Sequence, residues 1–144
     1  MTGLALVLGT LAVATWFGLR WRRRQGRVQT LARTTLAAAT LAEPVLRRID
    51  GAAAVTLLQL STPICARCPQ ARALLSELAA VTPGVGYAEI HLAEHPELAG
   101  ELGVRSTPTT LAVSPAGREL FRVAGVPRRA ELLSALQPHL ENRG

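Results

Sequence analysis

Cys65 and Cys68 are the only thiols in the 144 residues, and they stand two residues apart in the stretch STPICARCPQ, between Pro63 and Pro69. Taken alone, the pair fits four chemistries: a redox-active dithiol, half of a metal site, a structural disulfide, or two small apolar residues that meet by chance. A structural zinc site needs four ligands, and His91, His95 and His139 do not complete a zinc spacing. A covalently attached haem needs His directly after the second Cys, where Pro69 stands. No metal and no cofactor are therefore expected. A disulfide closing so short a loop adds little stability.

The elements around the pair decide how reactive it is. Residues 54–61, AVTLLQLS, form a continuous run rich in Val and Leu, as in a buried central strand. From Cys65 the apolar spacing turns helical through Ala71, Leu74, Leu75, Leu78 and Val81, and Pro83-Gly84 ends it. A thiolate at a strand-to-helix junction meets unpaired N–H groups and the positive end of the helix dipole, which lower its pKa. Cys65 then reads as the attacking sulfur and Cys68, one turn inside the helix, as the resolving one. Arg67 between them adds a positive charge that favours the thiolate and makes the disulfide more oxidising.

Downstream, residues 85–93 (VGYAEIHLA) alternate as a strand does, and 96–103 (PELAGELG) read as a short helix closed by Gly103. TTLAVS at 109–114 reads as a third strand, SPAGRE as a turn, LFRVAG at 120–125 as a fourth strand, and 128–140 as an amphipathic helix. Such an order builds an α/β domain, a mixed sheet flanked by helices.

With the strand VTLLQLS, the Cys65-Ala66-Arg67-Cys68 motif opening a helix, and VRSTPTTLAV some forty residues on, residues 54–140 resemble the thioredoxin fold. The resemblance implies a cis-proline facing the dithiol, matched here by Pro108 after Thr107, and a substrate strand pairing beside Thr107. It also implies a docking surface at Ile64, where thioredoxins usually carry Trp, and Ala66-Arg67 replaces their Gly-Pro. The family's buried carboxylate six residues before the first Cys is matched by Gln59, a neutral amide that takes no proton. On the neighbouring strand, where the family often has Lys, stands Glu89. The resemblance thus leaves two readings of Glu89: a relocated carboxylate that accepts the Cys68 proton, or a solvated strand residue.

All sixteen basic residues are Arg, which reads as a compositional bias of the kind found in high-GC bacteria. The net charge of +6 is concentrated: residues 20–43 carry six Arg and one Glu, whereas 44–144 carry ten Arg against nine acids. A domain so near neutrality offers no nucleic-acid face.

No charged side chain occurs before Arg20, and LALVLGTLAVATWFGL at 4–19 is apolar apart from two Thr and two Gly. Sixteen to eighteen such residues reach ~24–27 Å, enough for a nearly upright transmembrane helix with Trp16 and Trp21 near its boundary. A cleaved signal peptide competes, since Ala12-Val13-Ala14 has the form of a cleavage site, but a basic segment before the run is lacking. The arginines that follow the run predict a single-pass cell-membrane protein with its C-terminal domain in the cytoplasm. The expected organisation is an anchor at 1–21, a basic juxtamembrane spacer at 22–43 and a thioredoxin-like domain at 44–144. The resemblance would then extend to membrane-anchored thioredoxin-fold proteins.

The function expected is thiol–disulfide exchange by Cys65 and Cys68, reducing disulfide-containing protein clients with electrons from a partner reductase. The alternatives are an exported protein serving cell-envelope disulfides and a non-catalytic docking module of the same fold.

Overall fold

The computed structural model describes residues 2–24, 26–30 and 43–141. Among them the elements run α1 (Thr2–Arg24), β1 (Val28–Thr30), α2 (Glu43–Leu46), β2 (Val55–Ser61), α3 (Cys68–Val81), β3 (Val85–His91), α4 (Glu97–Glu101), β4 (Thr109–Val113), β5 (Glu119–Ala124) and α5 (Arg129–Glu141).

The unbroken apolar run of β2 reflects its place in the sheet. Every one of its residues is buried, because it lies between β3 and β4 and is covered on both faces. The sheet order is β1-β5-β4-β2-β3. β2 and β3 pair in parallel through the α3 crossover, while β4 runs antiparallel to β2 and β5, and β1 antiparallel to β5. Because side chains alternate across a strand, successive β2 residues serve two different cores. Val55 and Leu57 pack with Leu75 and Leu78 of α3 and Leu132 and Leu136 of α5. Leu58 and Leu60 pack on the opposite face with Val45, Leu98 and Leu111. Both cores are almost wholly aliphatic, and Phe121 is the one aromatic among their buried residues.

The mixed sheet flanked by helices matches the sequence expectation for residues 54–140. Local differences have local causes. The helix begins at Cys68 rather than Cys65, because the preceding residues close two tight turns, Cys65 N–H to the Thr62 carbonyl at 3.1 Å and Cys68 N–H to the Cys65 carbonyl at 3.3 Å. Residues 28–30, expected in a spacer, instead add an edge strand. Gly26 fixes this docking: its N–H donates to the Ala124 carbonyl at 2.7 Å. Its φ is +78°, and a Cβ there would lie 2.6 Å from the Val126 carbonyl oxygen, so only glycine fits. The rest of the expected spacer, 31–42, lies outside the described residues.

The expected transmembrane helix is not borne out. α1 forms over Thr2–Arg24, but among the described residues no helix is long and apolar enough to cross a membrane. Its apolar stretch stops at Leu19, and the helix continues through Arg20, Arg22, Arg23 and Arg24. Gly9 and Gly18 and two threonines dilute the run, the hydroxyls of Thr10 and Thr15 bonding back to carbonyls one turn earlier. Cell-membrane placement, with the remaining chain on the cytoplasmic side, rested on that span and is withdrawn with it. Trp21, expected at the membrane boundary, has no described side chain. Arg20 lies 5.5 Å from the centre of the Trp16 ring, a cation–π contact within one turn of helix.

Candidate active site

Cys65 and Cys68 are joined in a disulfide, their Cα atoms 5.5 Å apart, at the first turn of α3. The two sulfurs are not equivalent. Cys68 is buried at 3% exposure, while Cys65 precedes the helix and is only half-buried. Pro69 occupies the first turn of α3, where its missing N–H costs no helical bond. The free N–H groups and dipole of a 14-residue helix therefore converge on the pair. Beside Cys65, Ile64 is 94% exposed.

The loop into β4 is bonded to the turn that precedes the dithiol. Its Thr107–Pro108 peptide bond is cis. Thr107 Oγ1 lies 3.2 Å from Thr62 Oγ1, three residues before Cys65, and ties the loop to the turn that carries the motif. Pro108 is buried, and its carbonyl accepts from Gly125 N–H at 2.7 Å. Thr109 Oγ1 donates to the Ser106 carbonyl at 2.7 Å. The loop is thus bonded before, at and after the proline.

A polar chain lies beneath α3. Gln59 is fully buried on β2, and its Nε2 donates to the Cys68 carbonyl at 3.0 Å. Its Oε1 accepts from the Tyr87 hydroxyl at 3.1 Å, and the same hydroxyl lies 3.5 Å from Glu89 Oε2. Glu89 takes two further bonds from Arg72 of α3, Nε to Oε2 at 2.7 Å and Nη2 to Oε1 at 2.9 Å. Burial and the nearby Glu89 charge push the Tyr87 phenol up to about 12. Burial alone would raise the Glu89 carboxyl, but hydrogen bonds from Arg72 and Ser61 and the charges of Arg72 and His91 outweigh it and hold it below the usual range. At neutral pH the chain therefore comprises a neutral phenol, a carboxylate and a guanidinium.

Of the residues singled out from sequence, Cys65 and Cys68 meet directly, Ile64 adjoins Cys65 in the chain, and Thr107, next to the cis-proline Pro108, bonds to Thr62 of the turn before the motif. Glu89 is the direct register partner of Gln59. It does not stand free beside the sulfur: Gln59 and Tyr87 lie between it and Cys68, and Arg72 holds both its oxygens. Sequence reasoning missed Arg72 and Tyr87. The signal was in the spacing, since Arg72 follows Cys68 by one helical turn and Tyr87 precedes Glu89 by two strand residues. Among the described residues, no three His, Cys, Asp or Glu side chains cluster as a metal ion would require.

Solved structures of thioredoxins are similar in fold. A thioredoxin of Nicotiana alata matches with a TM-score of 0.53 and 25% identity over 59% of this chain and 72% of its own. The fold is that of thioredoxin. A mutant thioredoxin of Halobacterium salinarum gives a TM-score of 0.54 at 24% identity over 60% of this chain and 75% of its own. The thioredoxin of Fasciola hepatica gives 0.55 at 20% identity, covering 67% of this chain and 89% of its own. No family model matches the sequence, and no curated protein matches it. Thioredoxin fold and cysteine pair together support thiol–disulfide oxidoreductase chemistry.

Proposed function

We propose that the chain reduces disulfides of protein clients through Cys65 and Cys68. The observation that carries this reading is the asymmetry of the pair at the α3 N-terminus, one sulfur half-buried and the other enclosed. In the reduced protein the Cys65 thiolate attacks one client sulfur. The Cys65–client bond forms, the client disulfide breaks, and the other client sulfur leaves as a thiolate. Cys68 then loses its proton and attacks Cys65 Sγ, regenerating the Cys65–Cys68 disulfide and expelling the second client sulfur. Two electrons pass to the client, and the Cys68 proton neutralises one of the released thiolates.

Ile64 offers an exposed apolar contact for the client, and the Thr107–Pro108 segment offers backbone for an extended client strand beside the sulfurs. The aliphatic Ile64 and the Arg67 charge favour a narrower client range than a flat aromatic surface does. A partner reductase supplies electrons to return the disulfide to the dithiol. Glu89 bears on the site through the Tyr87–Gln59 chain, and general-base action by its carboxylate is the stricter form of that role.

The test is reduction of insulin by the full chain with a small dithiol as electron source. Catalysed precipitation of insulin, lost in Cys65→Ser, supports the reading. An unaccelerated reaction would leave a non-catalytic docking module of the same fold.

A further inference from the structure

One buried polar group takes no part in the chemistry so far. Thr110 of β4 is wholly buried, and its Oγ1 has no hydrogen-bond partner among the described residues. Buried hydroxyls are rarely left so, since each has forfeited its bonds to water. Thr110 is also the direct cross-strand partner of Gln59, so the two side chains lie on the same face of the sheet. That is the α3 face, because Gln59 reaches the Cys68 carbonyl from it. The other polar side chains there are committed: Ser61 Oγ to His91 Nδ1 at 2.9 Å, Tyr87 to Gln59, and Glu89 to Arg72.

We infer that the Thr110 hydroxyl is held for the resolving sulfur: once the disulfide is reduced, Thr110 Oγ1 donates a hydrogen bond to Cys68 Sγ. In the oxidised protein that sulfur is bonded to Cys65 and is a poor acceptor. Reduction adds two electrons and two protons, breaks the Sγ–Sγ bond, and leaves at Cys68 a buried thiol that must become a thiolate to act. A buried anion needs a donor, and a charge-assisted bond is about twice as strong as a neutral one. The family resemblance looks to a carboxylate at position 59 to take the proton. Here the amide of Gln59 fixes the Cys68 backbone, and the neighbouring hydroxyl favours the thiolate itself.

This inference rests on the oxidoreductase reading, and one experiment separates the two. Thr110→Val removes the hydroxyl at nearly constant shape, and Thr110→Ser keeps it. In the full chain, two quantities are measured: the dithiol–disulfide equilibrium against glutathione, and the rate at which Cys68 clears a glutathione mixed disulfide from Cys65. Losing one hydrogen bond from the reduced state moves the Thr110→Val equilibrium about tenfold toward the disulfide, or about 30 mV for two electrons. Resolution slows by only about threefold, because the smaller thiolate fraction is partly offset by a more nucleophilic sulfur. Thr110→Ser tracks the parent in both. A Thr110→Val chain equal to the parent, or Val and Ser variants shifted together, overturns the assignment. A parent that does not exchange with glutathione overturns the oxidoreductase reading, and this inference with it.

Discussion

The Gln59 side chain reaches from the centre of the sheet to the backbone of the active-site helix, its amide 3.0 Å from the Cys68 carbonyl. The bond makes β2 a fixed support for the buried sulfur, and it sits at one end of a chain that runs through Tyr87 and Glu89 to Arg72 on the same helix. Each link of that chain can be tested separately.

Gln59→Leu fills the space but removes two hydrogen bonds at once, one from the Cys68 carbonyl and one from the Tyr87 hydroxyl, which keeps only its longer approach to Glu89. We expect a loss of about 1–3 kcal/mol in urea unfolding of the oxidised protein, from the two hydrogen bonds removed. Gln59→Glu restores an acceptor for Tyr87 but not a donor to Cys68, and adds a carboxylate beside Glu89. It should lose stability further as pH rises and both carboxylates ionise.

Tyr87 is the only tyrosine in the chain, so its ionisation can be followed directly by ultraviolet absorbance. Burial and the Glu89 charge place its titration at about 12 in the folded protein. Because the folded value lies above the unfolded one, the stabilisation is complete below about 10 and is lost as pH rises through about 12. A phenol titrating near 10 in the folded chain would contradict the enclosed Tyr87–Gln59 bond.

Glu89 behaves in the opposite sense. Its carboxyl is held below the ordinary range despite partial burial, so its contribution is present above the ordinary carboxylate pKa and is lost as pH falls through the lower folded value. Glu89→Gln should flatten the acid limb of the stability profile. If Glu89 also takes the Cys68 proton, the same variant shifts the pH dependence of dithiol oxidation; an unchanged oxidation profile confines Glu89 to supporting Tyr87 and Arg72.

Much of this was legible in the sequence because short-range rules governed it. The all-apolar β2 run, the helical spacing after Cys65 and the turn residues between strands each report local backbone preference or burial, and they yielded the order of elements from 54 to 140. The two cysteines were legible because their spacing is itself the signal. The polar chain was harder to see. Arg72 and Tyr87 acquire meaning only when α3 lies across β3, and nothing local marks Thr110 as the residue opposite Gln59. Register came from the resemblance rather than from pattern: it implied Glu89 beside Gln59, and the β2–β3 pairing sets them together. At the N-terminus, apolar composition suggested a span, whereas the glycines and threonines within the run and the arginines in the last turns of α1 told against one. Similarly, a three-residue strand such as β1 is fixed by a single glycine docking on β5, a long-range contact that composition does not reveal.

The measurement that bears most directly on the central claim is trapping. Cys68→Ser keeps the attacking sulfur and removes the resolving one, so a client disulfide should arrest as a mixed disulfide on Cys65. The adduct should be seen by mass spectrometry, released by dithiothreitol, and lost when Cys65 is also changed to Ser. The account predicts that adduct with a disulfide-containing protein such as insulin, and none with Cys65→Ser alone. An adduct forming on Cys68 in Cys65→Ser, or no adduct in Cys68→Ser, would contradict it.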